Sequence, residues 1–158
     1  MNPLPRRRIP PHYPAIERFN AASIIYLTVC TQSRKQILAR EDVHALLRTV
    51  WVEAGQWRVG RYVVMPEHIH LFCAPAHLDS PPLAKWVQFW KSRASQRWPR
   101  HEEQPVWQKS FWDTQLRSGE SYDEKWEYVR LNPVRRGLVS RPEDWPFAGE
   151  IWRLEWFE

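Results

Sequence analysis

A chain of 158 residues can bury one sizeable core and is too short for two ordinary domains. Its two cysteines, Cys30 and Cys73, lie in apolar runs, which argues against a disulfide scaffold and for reduced thiols in a cytoplasmic protein; no apolar run approaches the roughly 20 residues of a membrane span, and the N-terminus lacks the apolar core of a secretory signal. The net charge of +5 and pI near 9.5 suit a polyanionic partner.

The first twenty residues, Pro-rich and carrying Arg6, Arg7 and Arg8, read as an irregular basic arm before one domain at 21–150, with 151–158 as a tail. Ser23 to Thr31 is rich in β-branched and aromatic residues and predicts a buried strand. Val43, Leu46, Leu47, Val50, Trp51 and Ala54 recur at helical spacing, with Asp42 as N-cap and Gly55 as the stop. Trp57 to Met65 predicts a second strand. A turn at Pro66 and Glu67 leads into a third, His68 to Ala74, paired antiparallel to it.

Ser80 with Pro81 and Pro82 opens a second helix whose apolar stripe is Leu83, Trp86, Val87, Trp90 and Ala94. Lys91 and Arg93 fall off that stripe and, with Lys85, Arg97 and Arg100, predict a basic face. Val106 to Arg117 holds the alternation Trp112, Thr114, Leu116, a fourth strand. Ser121 and Glu124 match a capping box and predict a third helix through Trp126, Tyr128 and Val129 to Asn132, where Pro133 ends or kinks it. Most of the eleven tryptophans suit the core, although some interleave with Arg and Lys and could stack on unpaired bases. The order β-α-β-β-α-β-α predicts an α+β, ferredoxin-like fold: an antiparallel sheet with helices over one face, the last of them near the central strands.

His68 and His70 flank a single apolar residue in a strand, so both imidazoles face the same way and can converge on one divalent cation. Alone, such a pair is more often an ordinary surface or core feature. Tyr128 and Asn132 share one helix face, although a half-buried core tyrosine and a helix cap are the simpler roles for them. Together the four groups could act on a phosphodiester. Three neutral ligands leave the charge of a divalent cation facing the phosphate, and an assisted phenolate can attack phosphorus. A phosphotyrosine keeps the bond energy, so such a site could cut and rejoin DNA without ATP.

His68-Ile69-His70 resembles the signature of the HUH single-strand endonucleases, and Val64 to His70 resembles its form in single-tyrosine transposases. Tyr128 to Val139 is similar to the tyrosine helix of the REP-associated tyrosine transposases, as is Pro142 to Phe147. The resemblance implies a metal-dependent enzyme that nicks and rejoins single-stranded DNA beside an imperfect hairpin. It implies that Tyr128 forms a 5′-phosphotyrosine, that His68 and His70 bind Mg²⁺ or Mn²⁺, and that Asn132 completes the site. A monomer is expected, with a dimer as the alternative. Glu67 stands where many relatives have Asn and, preceding His68, is expected to face away. DNA contacts are expected from Arg6, Arg7 and Arg8 on the arm and from Lys91, Arg93 and Arg97 around the second helix. Arg117, Arg135 and Arg136 are expected to add to them. The alternatives are a hairpin-binding or regulatory relative that has lost cleavage, a nucleotide phosphohydrolase, which a third histidine in place of Phe72 would favour, and an RNA-binding sheet, which leaves the histidine pair unexplained.

Overall fold

The computed structural model describes residues 24–117 and 119–155. Its elements in chain order are β1 (Ile24–Cys30), α1 (Glu41–Glu53), β2 (Trp57–Val64), β3 (His68–Pro75), α2 (Leu83–Gln96), β4 (Trp112–Leu116), α3 (Gly119–Arg130), the short α4 (Asn132–Arg135) and β5 (Ala148–Glu150). The strands form one antiparallel sheet in the order β4-β1-β3-β2-β5, and the α+β expectation holds. Among the described residues no helix is long and apolar enough to cross a membrane.

Strand alternation divides the side chains between two faces. Ile25, Leu27 and Val29 of β1 and Ile69, Leu71 and Cys73 of β3 pack beneath α1 and α2, which contribute Leu47, Val50 and Trp51 and Leu83, Trp86, Val87 and Trp90. Trp51 and Trp86 meet Trp90 edge to face, with ring centroids 5.7 and 6.2 Å apart. A buried tryptophan removes roughly 150–250 Å² from water, worth about 5 kcal/mol before the entropy of ordering it. The opposite face carries a smaller apolar cluster, in which α3 sets Tyr122 and Val129 against Val63, Met65 and Phe72. The helices therefore cover both faces rather than the single face expected, because α3 leaves β4 on the side away from α1 and α2.

Three further details differ from the sequence expectations. α3 starts at Gly119, so Ser121 lies inside its first turn and is not the N-cap. α1 starts at Glu41 with Arg40 at the cap position, two residues before the expected cap at Asp42. β5 was not anticipated: its three residues pair with Arg61, Tyr62 and Val63 of β2, and beyond it Ile151 and Trp152 donate backbone N–H groups to the carbonyls of Gly60 and Val59 at 3.2 and 2.9 Å. Gly60 permits this close approach. A Cβ there would stand 2.6 Å from Leu154 and 2.9 Å from the Tyr122 hydroxyl.

Candidate active site

The His68 and His70 rings lie on the sheet face opposite the tryptophan-rich core, at register positions facing Cys30 and Thr28 of β1. Both residues are buried. Their Nε2 atoms face each other at 3.0 Å, so one of the two nitrogens carries the shared proton. Behind them, each Nδ1 meets an oxygen. That of His70 pairs with Tyr26 Oη at 2.8 Å and Thr28 Oγ1 at 3.0 Å, and that of His68 lies 3.5 Å from a Glu67 carboxylate oxygen. Burial, then the neighbouring His68 and the cations Lys125 and Arg135, hold the His70 imidazole well below its ordinary pKa and keep it neutral. Burial also pushes the Tyr26 phenol up to about 12.

This donor set fits a divalent cation. Two imidazole nitrogens converge, the other nitrogen of His70 is hydrogen-bonded from behind and that of His68 faces a carboxylate, and 3.0 Å matches the spacing of adjacent ligands on one ion with bonds of about 2.1 Å. Among the described residues no group of three or more His, Cys, Asp or Glu side chains could hold a metal, so a third protein donor would have to be of another kind.

Glu67 departs from its expected orientation. It lies in the bend between β2 and β3 and not in extended strand, so the alternation rule does not govern it, and its side chain turns back beside His68. The carboxylate is buried and accepts from Arg136 at 3.1 Å. The His68 imidazole 3.5 Å away, with help from the Arg136 guanidinium and its own backbone N–H, holds its pKa at about 2 against burial.

Tyr128 is exposed on α3, and its ring is bracketed by cations. The Arg135 guanidinium sits 4.0 Å from the ring centre and Lys125 Nζ 5.8 Å, while the same Lys125 lies 4.9 Å from the Tyr26 ring. A single ammonium thus stands between Tyr128 and the phenol that bonds His70. Arg135 donates to the Tyr128 carbonyl at 2.7 Å and to Asn132 Oδ1 at 3.1 Å, so it is the guanidinium that engages the Asn132 amide oxygen.

The other expected DNA contacts fare unequally. Lys91, expected on a basic face, is buried: its Nζ donates to the Gln108 carbonyl at 2.6 Å, and burial pulls the ammonium down to about 8. A lysine stem can cross an apolar stripe before its head finds a partner, which the helical pattern does not reveal. Arg93 and Arg97 remain on the surface, pairing with Glu53 at 3.8 and 2.7 Å, and Arg117 is exposed. Arg6, Arg7 and Arg8 lie outside the described residues. The sequence reading missed Lys125, Tyr26, Thr28 and Glu67 as neighbours of the site. Lys125 was within reach, three residues before Tyr128 on one helix, whereas Tyr26 and Thr28 depend on the pairing of β1 with β3, which the sequence does not carry.

Comparison with known proteins agrees with this architecture. A family model described as transposase IS200 like matches residues 21–130, and the chain belongs to that family. It is 26% identical over 126 residues to the REP-associated tyrosine transposase of Escherichia coli (strain K12), covering 78% of this chain and 73% of that protein. Its fold is similar to the solved structure of a REP-associated tyrosine transposase bound to a REP hairpin, with a TM-score of 0.68 and 22% identity over 94% of this chain and 82% of that one.

Proposed function

We propose that this member of the IS200-like transposase family is a divalent-metal-dependent enzyme that nicks single-stranded DNA beside an imperfect hairpin through a 5′-phosphotyrosine and can rejoin it. The observation that carries the reading is the pair of imidazole Nε2 atoms 3.0 Å apart on the face that α3 and its Tyr128 overlie. In this reading His68 and His70 hold Mg²⁺ or Mn²⁺, which when bound polarises the scissile phosphate and lowers the barrier to attack. Asn132 serves as a third donor once Arg135 releases its amide oxygen. Tyr128 loses its phenolic proton to solvent and its oxygen attacks phosphorus; the bond to the 3′ oxygen breaks, and that oxygen leaves as a hydroxyl after taking up a proton. Lys125 and Arg135 supply positive charge beside the phenolate and the phosphate. Rejoining is the reverse attack by a 3′ hydroxyl. The enzyme acts as a cytoplasmic monomer, with Tyr128 serving the imidazoles of its own chain.

The test is incubation of the full chain with Mg²⁺ or Mn²⁺ and labelled single-stranded hairpins from DNA flanking its own gene. Denaturing gels should then show a protein–DNA adduct. Full cleavage in EDTA would overturn the metal reading, and tight hairpin binding without adduct would favour a non-cleaving relative. Binding should prefer a hairpin with unpaired flanks to an equal length of duplex. Replacing Arg6, Arg7 and Arg8 by alanine should flatten the log–log salt slope by about 0.7–0.9 for each phosphate that is no longer neutralised.

A further inference from the structure

Glu67 is a buried carboxylate in a tight bend, where an unpaired charge would be strongly disfavoured. The carbonyls of the bend are held by other residues: that of Glu67 accepts from the N–H of Thr31 at 3.0 Å and from its hydroxyl at 3.2 Å, and that of Pro66 accepts from the Leu38 N–H at 3.0 Å. Apart from its own backbone N–H, the carboxylate has two neighbours, and neither belongs to the turn's backbone. One carboxylate oxygen lies 3.5 Å from His68 Nδ1 and the other 3.1 Å from Arg136, whose backbone N–H closes α4 on the Asn132 carbonyl at 3.0 Å.

We infer that Glu67 is a positioning residue that, gripped by Arg136, holds the His68 ring with its Nε2 lone pair toward His70 and ties that imidazole to the turn following the tyrosine helix. This rests on the metal reading of the histidine pair. A carboxylate can only accept, so it selects the Nδ1–H form of His68. The metal-free site then has one direction: a hydroxyl of the Tyr26 and Thr28 pair donates to His70 Nδ1 and His70 Nε2–H to His68 Nε2, while the His68 Nδ1–H has the Glu67 carboxylate as its neighbour at 3.5 Å. Carboxylates behind metal-bound histidines act in this way, fixing tautomer and ring orientation. The bridge through Arg136 adds a mechanical link. It registers the β2–β3 bend against the segment that carries Asn132, and it employs a guanidinium that charge alone had assigned to DNA.

The measurement is Mn²⁺ affinity of the full-length protein without DNA, read from free Mn²⁺ by electron paramagnetic resonance, alongside hairpin affinity in EDTA and thermal stability. His68→Ala is the reference and should lose Mn²⁺ binding. Glu67→Met should weaken Mn²⁺ about 10–100-fold, while the near-isosteric Glu67→Gln, which keeps an acceptor oxygen for Nδ1–H, should weaken it less. Arg136→Met should weaken it in the same direction and by less than Glu67→Met. Hairpin affinity in EDTA should be unchanged in all of them, a pattern that a general loss of structure would not give. Glu67→Gln keeps the test open if Glu67→Met does not fold, since Mn²⁺ affinity at the wild-type value in both glutamine and Arg136 variants would overturn the inference. So would a fall in hairpin salt slope for Arg136→Met with Mn²⁺ binding intact. If His68→Ala retains wild-type Mn²⁺ affinity, the metal reading itself fails, and this inference with it.

Discussion

The two faces of one sheet are built to opposite rules. Under α1 and α2 every inward position of β1 and β3 is aliphatic or a thiol, and four tryptophans, Trp51, Trp57, Trp86 and Trp90, are fully enclosed. On the reverse face the same two strands present Tyr26, Thr28, His68 and His70, polar groups joined by hydrogen bonds within a thin apolar surround. The first face supplies stability that the second cannot, because a polar cluster contributes little net free energy and must be complete to be tolerated. Neighbouring residues in a strand therefore serve different ends, and substitutions one residue apart should have unlike consequences.

The sharpest break is at Tyr128. Tyr128→Phe should abolish the adduct while leaving hairpin affinity and melting temperature unchanged, because the ring is exposed and only the oxygen is removed. Tyr122→Phe is the counterpart: buried, with its hydroxyl 3.4 Å from the Arg61 N–H, it should keep the adduct and lose about 1 kcal/mol in urea unfolding. The reverse outcome would assign the chemistry to the wrong tyrosine. On the other face Trp90→Ala should lose about 3–5 kcal/mol by urea denaturation. The protein that remains folded should keep its Mn²⁺ affinity. A selective loss of metal binding would show that the faces are not independent.

Lys91 tests the apolar side with a charge. Burial lowers its pKa from 10.5 to about 8, so between those values the unfolded chain binds more protons than the native one. The penalty is full below pH 8 and is relieved as the pH rises toward 10.5. Stability of the wild type relative to Lys91→Met should accordingly climb over that window, by up to about 3 kcal/mol, and a flat difference would mean the ammonium is well solvated. The smallest effect belongs to Thr28→Val, which removes one partner of His70 Nδ1 and leaves the Tyr26 hydroxyl. A stability loss of about 1 kcal/mol with weaker Mn²⁺ binding is expected, and stability alone should move if Thr28 only fills space.

Much of this arrangement was legible in the residues, for reasons specific to each element. The alternation around Ile69 put both imidazoles on one side, and the stripe from Leu83 to Ala94 specified α2, because both patterns are enforced by burial. β5 escaped because Ala148, Gly149 and Glu150 have neither β-branching nor alternation and are a strand only through pairing with β2. The Ser121 and Glu124 pattern misled, since α3 begins at Gly119 and a motif that caps a helix start can also fall inside its first turn. Lys91 was misplaced because its position on the helix does not say where a long side chain ends. Glu67 was misread by applying strand parity to a bend. The identities of the candidate site residues could be read locally, whereas their orientations depend on which strand lies beside which.

The passage of the 151–154 segment over Gly60 has a consequence for the order in which the molecule can be completed. Until the segment from Ala148 to Trp152 has been synthesised, the outer edge of β2 lacks its partner, and its N–H and C=O groups stand open to any other extended chain. Strands β1 to β4 can pair before then, so a nascent chain held on the ribosome would present β2 with its outer edge unguarded. A side chain at position 60 would prolong that interval by obstructing the last segment. The smallest residue in β2 thereby bears on how long the protein is exposed to misassembly, well before any question of DNA arises.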